Sequence, residues 1–221
     1  MKLIAIMGSP RGMKGSTGKL LDALLKSAEA AGAETTTFAL GKLKVAPCVS
    51  CDACHKVGRC VVKDDFQQVL DALLEADGFV LASPNYIYSV SAQMKALFDR
   101  CCGPIHTQAL EGKYGAAVVS SGGPGNEEVE KYMLRFTNSL GAWAVGSTGT
   151  DLAHIFNPEK LPQALQAAAD LGTSLVEAIR TGKTYPEQEP GLQGFREYMR
   201  SWLVTQGERW PFEAQYWKDR S

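Results

Sequence analysis

"MKLIAIMGSPRGMKGSTGKLLDALL", residues 1–25, decides the fold. Its apolar run over residues 3–7 reads as a short buried strand that stops at a Gly-Ser-Pro turn. Leu20, Leu21, Leu24, Leu25 and Ala28 then fall on one face of a helix. The loop between them, "GSPRGMKGSTGKL" (residues 8–20), joins a strand end to a helix start, where an open α/β sheet binds an anion. Free backbone N–H groups, the hydroxyls of Ser9, Ser16 and Thr17, and the Arg11 guanidinium would surround a phosphate there. Two better-known phosphate loops are excluded. A Walker loop needs glycine where Met13 stands and Ser or Thr where Leu20 follows Lys19, and the Gly12, Gly15, Gly18 spacing does not fit G-x-G-x-x-G. A hydroxyl-rich loop with one arginine suits a terminal monophosphate better than a triphosphate.

The strand-then-helix pattern repeats outward to about residue 182. Further strands are expected over 35–40, "GFVLASP" (78–84), "YGAAVVSSGG" (114–123) and "AWAVGSTGT" (142–150). Helices are expected over about 65–75, over 91–101 with Ser91 as N-cap, over about 127–140, and along a last stretch marked by Leu161, Leu165, Ala168, Leu175 and Ile179. Five strands alternating with five helices predict an α/β, three-layer, doubly wound parallel sheet. In the strand order 2-1-3-4-5, the loops after strands one, three and four meet at one crevice. The third-strand loop, "SPNYIYSVSAQMKALFDR" (83–100), offers two tyrosines to lie along a flat ring. The fourth, "SSGGPGNEE" (120–128), offers glycines that let backbone N–H groups approach a heterocycle edge. Together the three loops describe a site for a phosphorylated flat ligand.

Composition narrows the partners. The net charge is −1, from 23 basic and 24 acidic residues mixed along the chain, so nucleic acid is not expected. The first apolar run is too short for a signal peptide or a membrane span, so a cytoplasmic protein is expected. At 221 residues roughly 70% of the unfolded surface can be buried, enough for a core without disulfides. Residues 1–184 are read as one domain and 185–221 as a C-terminal arm. In the arm Pro186, Pro190 and Gly191 break regular structure, and three of the chain's four tryptophans follow. The arm is expected to pack on the body or on a neighbouring subunit.

"CVSCDACHKVGRC" (residues 48–60), within the segment 47–61 after strand two, holds four of the six cysteines. A reducing compartment disfavours a disulfide. Cys48, Cys51 and Cys54 at i, i+3 and i+6 can curl round one centre, and Cys60 can close the cage across "HKVGR". This is close to the ferredoxin run C-x2-C-x2-C, whereas structural zinc more often takes two separated pairs. A [4Fe–4S] cage therefore leads, with a zinc knuckle behind it. His55 is expected to be solvated or to stand beside the ligands, and Cys101 and Cys102 to be small buried residues. His106 and His154, near strand ends, are left without a role.

These loops and the C-x2-C-x2-C-x5-C run resemble those of the iron–sulfur flavoproteins, within the flavodoxin-like NADPH-dependent FMN reductase family. The resemblance covers about residues 1–180. It implies that Ser9, Arg11, Gly15, Ser16 and Thr17 hold the FMN phosphate. Pro84, Asn85, Tyr86 and Ile87 would line the isoalloxazine, with Ile87 standing where the family often carries Trp or Met. Ser120, Gly122 and Gly123 would meet the pyrimidine side of the ring. It implies an FMN-dependent oxidoreductase with a [4Fe–4S] cluster on Cys48, Cys51, Cys54 and Cys60. Electrons would pass from ferredoxin or NAD(P)H to a small acceptor, in a homodimer or homotetramer. The cysteine segment follows strand two, so the cage is expected at the flavin end of the sheet. A cluster-free NAD(P)H-dependent FMN, quinone or nitro reductase and a zinc-stapled interaction module are the competing readings.

Overall fold

The computed structural model describes residues 1–220. Five strands, β1 (Lys2–Met7), β2 (Glu34–Ala39), β3 (Gly78–Pro84), β4 (Tyr114–Ser121) and β5 (Trp143–Asp151), form one parallel sheet in the order β2-β1-β3-β4-β5. β3 and β4 are buried along their whole length, as strands covered on both faces must be.

Side-chain alternation divides the core in two. Ile4, Ile6, Phe79, Leu81, Ala117 and Val119 face one side, under α3 (Phe66–Glu75), α4 (Ala92–Arg100) and α6 (Asn126–Ser139). Leu3, Ala5, Met7, Val80, Ala82, Ala116 and Val118 face the other, under α1 (Ser16–Ala30) and α8 (Leu161–Thr181). These two helices touch backbone to side at Gly172, where an added Cβ would lie 2.2 Å from the Leu24 carbonyl oxygen.

Five helices beyond those expected are present among the described residues. Three are single turns: α2 (Ala53–Val57) inside the cysteine segment, α5 (Cys102–His106) and α7 (Leu152–Ile155). The other two, α9 (Glu189–Val204) and α10 (Pro211–Lys218), occupy most of the arm, and α9 runs through Pro190 and Gly191, where a break was expected. Pro190 and Pro211 sit in first turns, where the missing N–H has no partner to lose, so they start helices rather than break them. Met199, Leu203, Trp210 and Trp217 form a small core of their own.

The arm is tied to the body of its own chain. Gln188 Oε1 accepts from the Ala144 N–H at 2.9 Å, and its Nε2 donates to the Ala144 carbonyl at 2.8 Å, extending the edge of β5. Trp217 Nε1 donates to the His106 carbonyl at 3.0 Å, seating α10 beside α5. No helix among the described residues is long and apolar enough to cross a membrane.

Candidate functional site

Three loops at the C-terminal edge of the sheet are joined to one another. The first runs from Gly8 through a single 3-10 turn (Gly12–Lys14) to α1, whose N-cap, Gly15, offers no side chain to the first-turn N–H groups. Ser9, Ser16 and Thr17 are buried around this uncapped end, while Arg11 is exposed. Thr17 Oγ1 lies 2.7 Å from Ser120 Oγ, which links the first loop to the fourth-strand loop. Ser91 caps α4 as expected, accepting from the Met94 N–H, and its hydroxyl donates to the Gly8 carbonyl at 2.6 Å. Asn85 completes the set: its N–H donates to the Ser120 carbonyl at 2.7 Å and its Nδ2 to the Gly125 carbonyl at 3.0 Å.

Between Tyr86 and Ser89 the chain turns back in a two-residue hairpin. Ile87 and Tyr88 both take left-handed φ, 52° and 61°, at a cost of about 1–3 kcal/mol each. They are also among the most exposed large apolar side chains described, at 91% and 72%. Beside Gly122 and Gly123 the space is open, with no atom within 4 Å of an added Cβ. Free helix N–H groups and buried hydroxyls fit a phosphate, and the open glycine face beside the apolar hairpin fits a flat ring. The structure thus brings the sequence-predicted residues of all three loops to one edge.

The cysteine segment leaves β2 at that same edge but comes to rest elsewhere. Ser91 begins α4 at the three loops, whereas Arg100, which ends it, touches Cys60; nine residues of helix, about 14 Å, separate them. The four cysteines therefore gather at the C-terminal end of α4, with Asp99, Arg100 and Cys102, and not at the three loops where α4 begins. Cys48, Cys51, Cys54 and Cys60 line one cavity of about 430 Å³. Left-handed Ser50, Asp52 and Gly58 turn the chain between them.

Arg100 was not singled out by sequence. Its guanidinium donates to Cys60 Sγ at 3.2 Å and to the Ala46 carbonyl at 3.3 Å, and it pairs with Asp64. One buried side chain therefore ties both ends of the cysteine segment to α4. Burial pushes the Asp64 carboxyl up, but the Arg100 hydrogen bond and the N–H groups of Ala46 and Phe66 outweigh it and hold the group below its usual value.

The far wall of the cavity holds His55, Cys102, His106, Trp202 and Trp210. Of the two places expected for His55, solvated or beside the cysteines, the structure has the second: it lines their cavity, buried, with Nδ1 2.6 Å from Glu213 Oε1. The expectation for Cys102 is corrected. Cys101 is buried, but Cys102 is only half-buried and faces the cavity. His106 Nδ1 lies 2.9 Å from Glu213 Oε2, and its Nε2 lies 3.6 Å from Cys102 Sγ.

Burial opposes charge on both imidazoles, but hydrogen bonds to Cys102 and Glu213, and for His55 to Cys54 as well, prevail, and His106 is raised to about 9. Hydrogen bonds from His106 and His55 draw the Cys102 thiol down to about 6, whereas burial lifts Cys101 to about 12. His154 stands apart from this cavity, paired with Asp151 at 2.6 Å where α7 begins.

The comparisons agree with this geometry. Residues 1–152 match the family model for NADPH-dependent FMN reductase. An iron–sulfur flavoprotein of Archaeoglobus fulgidus is 32% identical over 222 aligned residues, covering 100% of this chain and 99% of that protein. Another, of Methanosarcina thermophila, is 41% identical over 133 residues, 59% of this chain and 68% of that protein. Among solved structures, a flavone reductase superposes with a TM-score of 0.66 at 17% identity over 81% of this chain and 63% of its own. An FMN-dependent NADH-azoreductase of Bacillus anthracis, in complex with FMN, gives 0.59 at 15% identity over 80% of this chain and 100% of its own. These structural likenesses carry the fold.

A doubly wound sheet with three linked loops at its C-terminal edge, matching this family model, defines an FMN-dependent oxidoreductase of flavodoxin-like fold. The chain belongs to the NADPH-dependent FMN reductase family and, by its full-length relative, to the iron–sulfur flavoproteins.

Proposed function

We propose that this oxidoreductase carries a [4Fe–4S] cluster on Cys48, Cys51, Cys54 and Cys60 beside its FMN, and moves electrons from ferredoxin or NAD(P)H to a small acceptor. The observation that carries the reading is the single cavity lined by all four thiols, with the buried Arg100 guanidinium hydrogen-bonded to one of them. Four thiolates suit iron–sulfur ligation, and a cationic donor on a ligand sulfur favours electron uptake there.

For the flavin, the uncapped first turn of α1 with Ser9, Arg11, Gly15, Ser16 and Thr17 would hold the phosphate. Pro84, Asn85, Tyr86 and Ile87 would lie along the ring, and Ser120, Gly122 and Gly123 would take its pyrimidine side. When bound, FMN accepts a hydride as an electron pair and a cluster passes single electrons, so a protein holding both converts pairs to singles. The length of α4 between the two sites leaves the crossing to run within one subunit or between subunits of a homo-oligomer. A cytoplasmic setting accords with four clustered cysteines kept as thiols, Cys48 and Cys51 exposed and Cys54 and Cys60 half-buried.

The test is iron and acid-labile sulfide analysis of anaerobically purified protein, with its absorption spectrum and stopped-flow reduction by ferredoxin and NAD(P)H in parallel. About four irons and four sulfides per chain support the cluster. Zinc in the cage without sulfide refutes it.

A further inference from the structure

Behind the cage a second set of donors converges, built from three distant parts of the chain. His55 comes from α2, Cys102 and His106 from α5, and Glu213 from α10. A ring nitrogen from each histidine and Cys102 Sγ all lie within 4.8 Å of one another. We propose that His55, Cys102 and His106 form a mononuclear site for a divalent cation of the zinc class, separate from the four-cysteine cage.

Three features of the site support it. Zn–S bonds of about 2.3 Å and Zn–N bonds of about 2.0–2.1 Å, set at a tetrahedral angle, place sulfur and nitrogen about 3.6 Å apart. Cys102 Sγ and His106 Nε2 stand at 3.6 Å. Second, the fully buried Glu213 occupies Nδ1 of both histidines, at 2.6 and 2.9 Å. A carboxylate on the remote nitrogen fixes the tautomer and leaves the other nitrogen's lone pair for a metal, the usual support of a ligating histidine. Third, a thiol and two imidazoles converge on one point from two separate helices, with the Cys102 sulfur facing the open cavity, so an ion could reach all three donors.

A thiolate with two imidazoles selects zinc-like ions over magnesium or calcium, which take oxygen. Three protein ligands leave a fourth position. Because His55, Cys102 and His106 line the same cavity as the cage, that position opens toward it and would take water or a substrate atom. The ion would also fasten α10 to the cysteine segment, since Glu213 reaches the ligands only from the arm.

The test adds zinc alone to anaerobic holoprotein whose iron, sulfide and FMN contents are known. Bound zinc is measured by elemental analysis and its surroundings by X-ray absorption at the zinc edge. Wild type should retain one zinc per chain beside its iron, with a shell of one sulfur and two imidazole nitrogens. Cys102→Ser and, independently, His106→Gln should weaken binding by at least about 100-fold, and Glu213→Gln by about 10–100-fold, with iron and FMN contents unchanged. The preserved cofactor contents show that each variant has folded. Failure to retain zinc in wild type overturns the proposal. So does zinc in a four-sulfur shell that is lost in Cys51→Ser and kept in Cys102→Ser. A missing iron–sulfur cluster would instead show in the iron and sulfide contents, leaving the zinc measurement to stand by itself.

Discussion

Replacing Arg100 with Met isolates the clamp on the cysteine segment. The Arg100 and Asp64 side chains are 1% and 7% exposed, so the substitution leaves a buried carboxylate without its counter-charge. Removing one partner of such a pair costs about 3–5 kcal/mol. Asp64 keeps the N–H groups of Ala46 at 2.8 Å and Phe66 at 3.1 Å, which places the expected loss at the lower end. For a chain of this size each kcal/mol shifts Tm by about 2–4 °C, so a loss of about 3 kcal/mol should lower it by about 6–12 °C. Thermal unfolding of anaerobic holoprotein, followed by far-UV circular dichroism, measures the shift. Adding Asp64→Asn removes the orphaned charge, and the double variant should recover about 1–3 kcal/mol. The acid limb gives a second readout. A carboxyl held below its ordinary value contributes stability that is complete above the unfolded value, about 3.9, and is lost as pH falls through the folded value. Without Arg100 the folded value rises toward the unfolded one, so this acid-dependent loss should shrink. A Tm drop under about 2 °C, or a double variant no more stable than Arg100→Met, would refute the clamp.

Other substitutions test the remaining contacts. Gly172→Ala would ordinarily stabilise a helix, but its methyl meets the Leu24 carbonyl at 2.2 Å, so overpacking should prevail and destabilise by about 1–3 kcal/mol in urea unfolding. Thr17→Val removes the hydroxyl that meets Ser120 and should weaken FMN binding by about tenfold, roughly 1.4 kcal/mol, in a fluorescence titration of flavin-free protein. In metal-free protein, iodoacetamide labelling read by mass spectrometry should modify Cys102 increasingly as pH passes about 6. Cys101, raised to about 12, should stay unlabelled through pH 9. Equal labelling of the two would show that the histidines do not act on Cys102.

The sheet was legible in sequence because its signals are local. The apolar runs of β1, β3 and β4 and the leucines of α1 state their own burial, and the glycine-rich end of β4 states where the chain turns with open space beside it. The gathering of four cysteines round one cavity was legible for the same reason, with all four inside thirteen positions. The walls of the cage were not. Arg100 ends α4 and Glu213 lies in the first turn of α10, where a basic and an acidic residue ordinarily complement the helix dipole in solvent. What distinguishes them is burial beside Cys60 and between two histidines, and those meetings span 40, 107 and 158 residues. Pro190 misled by a similar route: it is a helix breaker by residue type and a helix starter by position. Once α10 forms, Glu213 can reach His55 and His106 only if the arm lies on its own body. The least readable part of the sequence therefore completes the wall that faces its most readable motif.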